Sequence, residues 1–163
     1  MAARTQHHGF SLIELLIVVA VIGIVAAIAI PNLLASKRAA NEGSAGASLR
    51  TIHSAEATYL ATAGSGQYGT IAQLRTENLI DPQLGSGSKS GYSFVCLATH
   101  LTVGPPPTYF ATAAPSNLTF AGRTGTRSFT VAEDGVLRGK ATDTAAANHA
   151  EATNAVTWPP TNN

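Results

Sequence analysis

Side chains able to carry chemistry are scattered along this sequence and do not form a known catalytic pattern. His53, His100 and His149 are too far apart for the spacing of metal ligands. The sequence has no Gly-x-Ser-x-Gly elbow and no paired-carboxylate motif. The loop from Gly85 to Ser90 lacks the glycine before its lysine and the strand-loop-helix setting that a phosphate loop requires. These patterns predict a protein that is not an enzyme, with no catalytic residue, no metal and no cofactor.

The remaining reactive or modifiable groups are equally weak signals. Cys96 is the single cysteine, which excludes an intrachain disulfide framework, and we expect it to be a small buried residue rather than a nucleophile. The sequence Asn117-Leu118-Thr119 fits a glycosylation sequon, which alone carries little weight. Ten basic against nine acidic side chains give a net charge of +1, so the charge balance offers no case for nucleic acid as a partner.

Glu14 is the most informative charged residue, because it lies in a long apolar run. The segment from Phe10 to Ile30 is apolar apart from Ser11 and Glu14, and as a helix it would reach roughly 32 Å, enough to cross a bilayer. A carboxylate near the centre of such a helix costs about 2.5 to 3.5 kcal/mol, and less toward its end. The run contains no Lys, Arg or His. A cationic partner must therefore come from another chain or from a terminal amine made by proteolysis.

An ordinary secretory signal peptide is an alternative interpretation of the same run. Ala27-Ile28-Ala29 has the small-x-small pattern of a cleavage site. Arg4 is the single basic residue before the run, however, and the run is longer than a signal peptide needs. Under this alternative the protein is a soluble secreted binding module.

The sequence GFSLIELL from Gly9 to Leu16, continued to Ile30 and the following Pro-Asn-Leu-Leu, closely resembles the N-terminal segment of type IV pilins and the related pseudopilins. The close match covers about Gly9 to Tyr59, and the rest resembles the family in layout. The resemblance implies that residues 1–9 are a leader, that a prepilin peptidase cuts between Gly9 and Phe10, and that the new amine of Phe10 is methylated.

The resemblance also implies how the protein would assemble. The freed ammonium of Phe10 would pair with Glu14 of a neighbouring subunit and fix the register between helices. The unassembled chain would reside in the inner membrane. The pilus assembly machinery would then polymerise it into an extracellular homopolymer, the type IV pilus. A pseudopilin of a type II secretion or DNA-uptake system is the alternative within the family. Major secretion pseudopilins end in a calcium-binding loop with a Trp-Gly-containing motif, whereas Trp158 is followed by Pro159.

Gly23 and Pro31 weaken the N-terminal helix. Together with Phe10 and Glu14 they are the residues expected to matter for assembly. Proline costs about 3 kcal/mol or more in a helix interior and glycine about 1. Family filaments often have an extended stretch between the two positions, so the resemblance makes Gly23 to Pro31 a candidate hinge. A simple kink explains the same residues equally well.

Beyond Pro31 the sequence predicts an amphipathic helix that a glycine-rich stretch ends at Gly64. Apolar positions recur every three or four residues, at Leu49, Ile52, Ala55 and Tyr59. Arg50, His53 and Glu56 are expected mainly off that face.

The remaining residues predict a small antiparallel sheet that packs on this helical face. The expected elements are a short helix over 70–79 with Thr70 as N-cap, and strands at 92–96, 109–113, 127–132 and 136–138. The third and fourth strands are expected to be joined by a turn at Glu133-Asp134-Gly135.

The fold class is thus α+β, the type IV pilin fold, with a long N-terminal helix packed at its C-terminal half on the sheet. The predicted organisation is a leader at 1–9, a hydrophobic membrane or filament-core helix at 10–36, and a globular head at 37–163. From about residue 141 only Val156 and Trp158 offer much to bury, so a flexible tail is expected there.

Overall fold

The computed structural model describes residues 9–99, 106–119, 122–142 and 144–161. Residues 1–8 of the predicted leader and His100 lie outside this part of the chain. By its internal contacts the protein divides after Ser36 into a first and a second compact unit.

The longest element is helix α1, Leu12–Ala61, which has Pro31 in its interior. The first unit contains the part of α1 up to Ser36, and the helix is unbroken from Gly23 to Pro31. Because proline has no N–H, it cannot donate a hydrogen bond to the carbonyl of Ala27. Unwinding of this stretch stays a prediction for an assembled state.

The second unit holds the C-terminal half of α1 and all the other elements. The short helices are α2 (Ile71–Thr76), α3 (Pro82–Gly85) and α4 (His149–Thr153). The strands are β1 (Ser88–Lys89), β2 (Tyr92–Thr99), β3 (Thr108–Pro115), β4 (Ser128–Ala132) and β5 (Arg138–Lys140). They form one antiparallel sheet in sequence order, β1-β2-β3-β4-β5. The predicted α+β fold with a long N-terminal helix and a small antiparallel sheet is confirmed.

The core lies between one face of α1 and one face of the sheet, as the alternating pattern predicts. Tyr92, Phe94 and Cys96 are buried, whereas Val95 between them is about half exposed. They pack with the apolar residues of α1, namely Leu49, Ile52, Ala55 and Tyr59. The prediction that the sheet packs on this helical face is confirmed.

Helix α2 begins as its sequence predicts, at a capping box. Thr70 accepts a hydrogen bond from the backbone N–H of Gln73, and the Gln73 side chain accepts one from the backbone N–H of Thr70. The helix ends at Thr76 rather than continuing to Leu79, because Asn78 adopts a left-handed conformation with φ of 55°.

The fourth predicted strand is shifted in the structure. It begins at Arg138 rather than Val136, because the preceding turn uses more residues than a two-residue hairpin. Asp134 accepts a hydrogen bond from the backbone N–H of Val136, and Gly135 has a φ of 68°. A Cβ at Gly135 would lie 3.0 Å from Nε2 of His53, so both space and conformation favour glycine here.

The flexible tail expected from about residue 141 stays a prediction, whereas the described residues of that segment pack against the sheet. Helix α4 follows an Asn148 N-cap, and Trp158 is 1% exposed in a cluster with Phe110, Ala132, Ala146 and Ala152. Pro160 pairs with Arg138 at the end of the sheet. The segment thus covers the face of the sheet opposite α1, using alanines too small to stand out in the sequence.

Candidate assembly site

The first unit presents an apolar surface that no other described residue of that unit covers. The large apolar side chains from Phe10 to Leu33 are between 46% and 81% exposed. Among the described residues, α1 is the one helix long and apolar enough to cross a membrane, judged by length and composition. Fifteen such side chains, at about 1.5 kcal/mol or more each on burial, represent roughly 20 kcal/mol in favour of a membrane or a partner helix.

Glu14 lies in the first turn of α1, the third residue of the helix. A carboxylate at this end is favoured by the helix dipole. Within the described residues it forms no ion pair, so this part of the chain offers the carboxylate no cationic partner. The location leaves Glu14 available to a cation from outside the chain.

The two residues of the predicted cleavage site precede the helix. Gly9 and Phe10 are both exposed, and a Cβ on Gly9 would meet no atom within 4 Å. Cleavage between them stays a prediction.

The other two predicted assembly residues also lie on the exposed part of α1. Gly23 has open space around it, and Pro31 is exposed. Neither residue is required by packing within the described part of the chain. A role in assembly stays a prediction for both.

The second unit contains a buried carboxylate that the sequence interpretation missed. Glu56 was expected mainly off the apolar face of its helix, but it is fully buried. It accepts hydrogen bonds from the backbone N–H of Gly69 at 2.8 Å and from the thiol of Cys96 at 3.1 Å. Its spacing, four residues after Ile52 and three before Tyr59, places it on the buried face, and that spacing was the available signal.

Cys96 is buried, as predicted, and it is held in its neutral form. Burial raises the pKa of its thiol, and the nearby Glu56 charge and hydrogen bond raise it further. A thiol with a raised pKa is a poor nucleophile. Cys96 therefore acts as a packing residue that also satisfies Glu56.

The remaining polar contacts of the second unit are structural. Nδ1 of His53 lies 2.6 Å from the hydroxyl of Tyr109, and His149 pairs with Glu133 at 2.7 Å. Lys89, from the glycine-rich loop, pairs with Asp81. The described residues contain no group of three or more His, Cys, Asp or Glu placed to hold a metal ion.

Comparison with known proteins supports the interpretation of the N-terminal segment. Residues 4–30 match the family model of the prokaryotic N-terminal methylation motif. The chain is 43% identical over 54 residues to the type IV major pilin protein PilA of Myxococcus xanthus. It is 65% identical over 34 residues to the type IV wide pilus major component PilA4 of Thermus thermophilus. No solved structure matches the chain.

The similarity is confined to part of each protein. The two alignments cover 33% and 21% of this chain, and 24% and 26% of the relatives. The chain thus matches about a quarter of the length of these curated relatives. The methylation motif, the relatives and the α+β fold nevertheless agree with one another. The resemblance to type IV pilins seen in the sequence is confirmed for the N-terminal segment. That the protein is structural rather than enzymatic stays a prediction.

Proposed function

We propose that this protein is a prepilin whose mature form, Phe10 to Asn163, polymerises into a type IV pilus. The observation that carries the proposal is the exposed apolar surface of the first unit, behind a methylation motif. Such a surface has a large free energy of burial that a single soluble chain leaves unused. Packing the helices of many copies together buries it.

Before assembly, the same surface is covered by the inner membrane. The apolar run matches the thickness of the hydrocarbon core, so the unprocessed chain is anchored with Gly9 and Phe10 at one face of the bilayer. A prepilin peptidase cleaves there and methylates Phe10. The pilus assembly machinery then extracts the subunit into the extracellular filament.

In the filament, Glu14 receives the cation that the described part of its own chain does not provide. The terminal ammonium of Phe10 from the adjacent subunit lies against the Glu14 carboxylate. Pairing offsets part of the cost of burying each charge. Because an ion pair tolerates little axial displacement, it also selects how far one helix is shifted along the next.

Intact-mass analysis of isolated filaments tests this proposal. The mature subunit should lack residues 1–9 and carry one added methyl group. Gly9→Val should leave the precursor uncleaved and abolish filaments, while Ala3→Val, in the same leader, should be processed normally. A mature N-terminus at Ile30 would instead identify an ordinary signal peptide and overturn the proposal.

A further inference from the structure

Four of the nine cationic side chains of the second unit form a group that includes the first two residues of that unit. The group that we name the basic patch consists of Lys37, Arg38, Arg123, Arg127 and one carboxylate, Glu42. Nε of Arg38 donates to the backbone carbonyl of Arg123 at 3.4 Å, and Glu42 and Arg127 line one shallow cavity. Arg50 lines the same cavity as Glu42 and Arg127. Arg38 and Arg123 are thus in contact although they lie far apart in the sequence, and the members of the basic patch together carry a formal charge of +3.

The loop over residues 122–127 supplies two of the four cations of the basic patch and is held against α1 by hydrogen bonds. Asn41 donates to the carbonyl of Thr124 at 2.8 Å, and Glu42 accepts hydrogen bonds from the backbone N–H and the hydroxyl of Thr126. Nε of Arg123 donates to the carbonyl of Gly125 at 2.9 Å. The arginines of this loop therefore have a fixed backbone from which to bind.

Tyr92 fixes the same loop from the core side. Its hydroxyl donates to the carbonyl of Arg127 at 2.8 Å. A Cβ at Gly125 would overlap that hydroxyl, so glycine is required for this approach. The guanidinium of Arg127 lies 5.3 Å from the ring centre of Phe129. Because these contacts already restrict the loop, the basic patch loses less conformational entropy when it binds a partner.

The charge of the basic patch contrasts with the rest of the second unit. The other described residues of that unit carry five basic and six acidic side chains, a formal charge of −1. The excess positive charge is therefore local. At moderate salt it attracts an anionic surface that lies within a screening length of about 10 Å.

The position of the basic patch in the chain indicates its partner. Lys37 lies seven residues after Ile30, where the apolar run ends, and three residues after Leu34. Even a fully extended chain places Arg38 within about 14 Å of Leu34. This distance is comparable to the depth of the headgroup layer of a bilayer with its adjoining water. Guanidinium groups bind phosphate oxygens through paired hydrogen bonds.

We propose that the basic patch docks on the anionic phosphate headgroups of the membrane in which the unassembled subunit stands. This inference rests on the membrane-anchored state described under the proposed function. Docking holds the second unit against the bilayer, and leaving the membrane for a filament releases it. An acidic surface on a second copy is the competing partner, and chain proximity to the bilayer favours the lipid.

The full chain reconstituted in nanodiscs provides the test. Backbone amide exchange of residues 122–127 is compared between neutral phosphatidylcholine discs and discs containing phosphatidylglycerol. We expect exchange to be about fivefold or more slower in the anionic discs at low salt, and the difference to disappear at high salt. Lys37→Gln combined with Arg127→Gln should remove the difference, whereas Arg75→Gln, an exposed arginine of α2, should retain it.

Separate arms distinguish the other sources of protection. Equal exchange in the two kinds of disc overturns the inference, as does equal protection by inorganic phosphate added to neutral discs. Protection that follows the number of chains per disc, whatever the lipid, identifies a second copy and also overturns it. If the chain fails to remain with the discs at all, the membrane-anchored state of the proposed function is wrong.

Discussion

Glu14 is unfavourable in a single chain, and under the proposed function it becomes useful in the filament. It is the one charged residue between Phe10 and Ile30, and the described part of the chain offers it no cation. An isolated charge in an apolar medium is costly, and a paired one less so. The carboxylate therefore favours the arrangement of chains that brings an ammonium to it.

Glu14→Ala should leave synthesis and membrane insertion intact, and insertion should improve because a charge is removed from the apolar segment. Filaments should be few or absent, since the ammonium of Phe10 loses its partner, at a cost of about 3 to 5 kcal/mol where it stays buried. Ser11→Ala, which removes a polar group from the same segment without changing charge, should assemble normally. Electron microscopy of surface filaments measures the outcome, and normal numbers with normal subunit spacing in Glu14→Ala would exclude this role.

Glu56 is a buried carboxylate that fastens the segment after α1 to the core of the second unit. Glu56→Ala should lower the free energy of unfolding by about 3 kcal/mol, because the backbone N–H of Gly69 and the thiol of Cys96 lose their acceptor. Ser54→Ala, on the exposed face of the same helix, should change it by less than about 0.5 kcal/mol. Chemical denaturation of both variants decides the matter, and equal stability would show that Glu56 is not a structural anchor.

At the level of elements, the C-terminal segment is held by one large anchor and several small contacts. The indole ring of Trp158 is buried, and its Nε1 donates to Glu151 at 3.2 Å. The ammonium of Lys140 lies 5.9 Å from the ring centre. Because the sequence contains a single cysteine, no intrachain disulfide can hold this segment in place. The buried side chain of Trp158 holds it instead.

Trp158→Ala should therefore release the segment after Lys140 while the sheet stays folded. The free energy that holds the segment in place should fall by about 3 to 5 kcal/mol, the usual effect of removing a large buried aromatic side chain. Limited proteolysis should cut the variant between residues 141 and 161 much faster than the parent. Val156→Ala, two residues earlier and 94% exposed, is the matched control and should be cut at the parent rate. Equal cutting of the two variants would contradict the anchoring role.

For the whole molecule, the two units predict separate solution behaviour. Deleting residues 1–36 removes the exposed apolar surface, while the face from Leu49 to Tyr59 keeps its packing on the sheet. The truncated protein should be a soluble monomer with mixed helix and strand in circular dichroism. The mature full chain should require a bilayer, detergent or a filament. Sedimentation tests both statements, and fibres from the truncated protein, or a full chain that is monomeric in plain buffer, would refute them.

The second unit should also lose stability at alkaline pH. Burial raises the pKa of Cys96, Tyr92 and Tyr109 above their ordinary values of 9.0 and 10.0. The folded state therefore holds these protons more tightly than the unfolded chain. The contribution is fully present below about pH 9 and is lost as pH rises through and above 10. Denaturation midpoints of the truncated protein should fall over this range, and less steeply in Tyr109→Phe. An unchanged slope in that variant would show that Tyr109 does not contribute.

Local features of the chain were predictable from its sequence. The apolar run, the methylation motif, the capping box at Thr70 and the alternation from Tyr92 to Cys96 each depend on residues close together. Helix caps and side-chain periodicity act within a few residues, so neighbouring side chains are sufficient to specify them. These features indicated the fold class and the resemblance to type IV pilins.

Tertiary structure alone decided what depends on contacts between distant segments. Glu56 is buried because Gly69 and Cys96 come to it from elsewhere in the chain. The described residues after Lys140 pack on the sheet because Phe110 and Ala132 form a surface that Trp158 can cover. Burial is a property of the space around a side chain, and that space is set by residues tens of positions away. Sequence pattern therefore determines which faces are apolar, and packing determines which of them are covered.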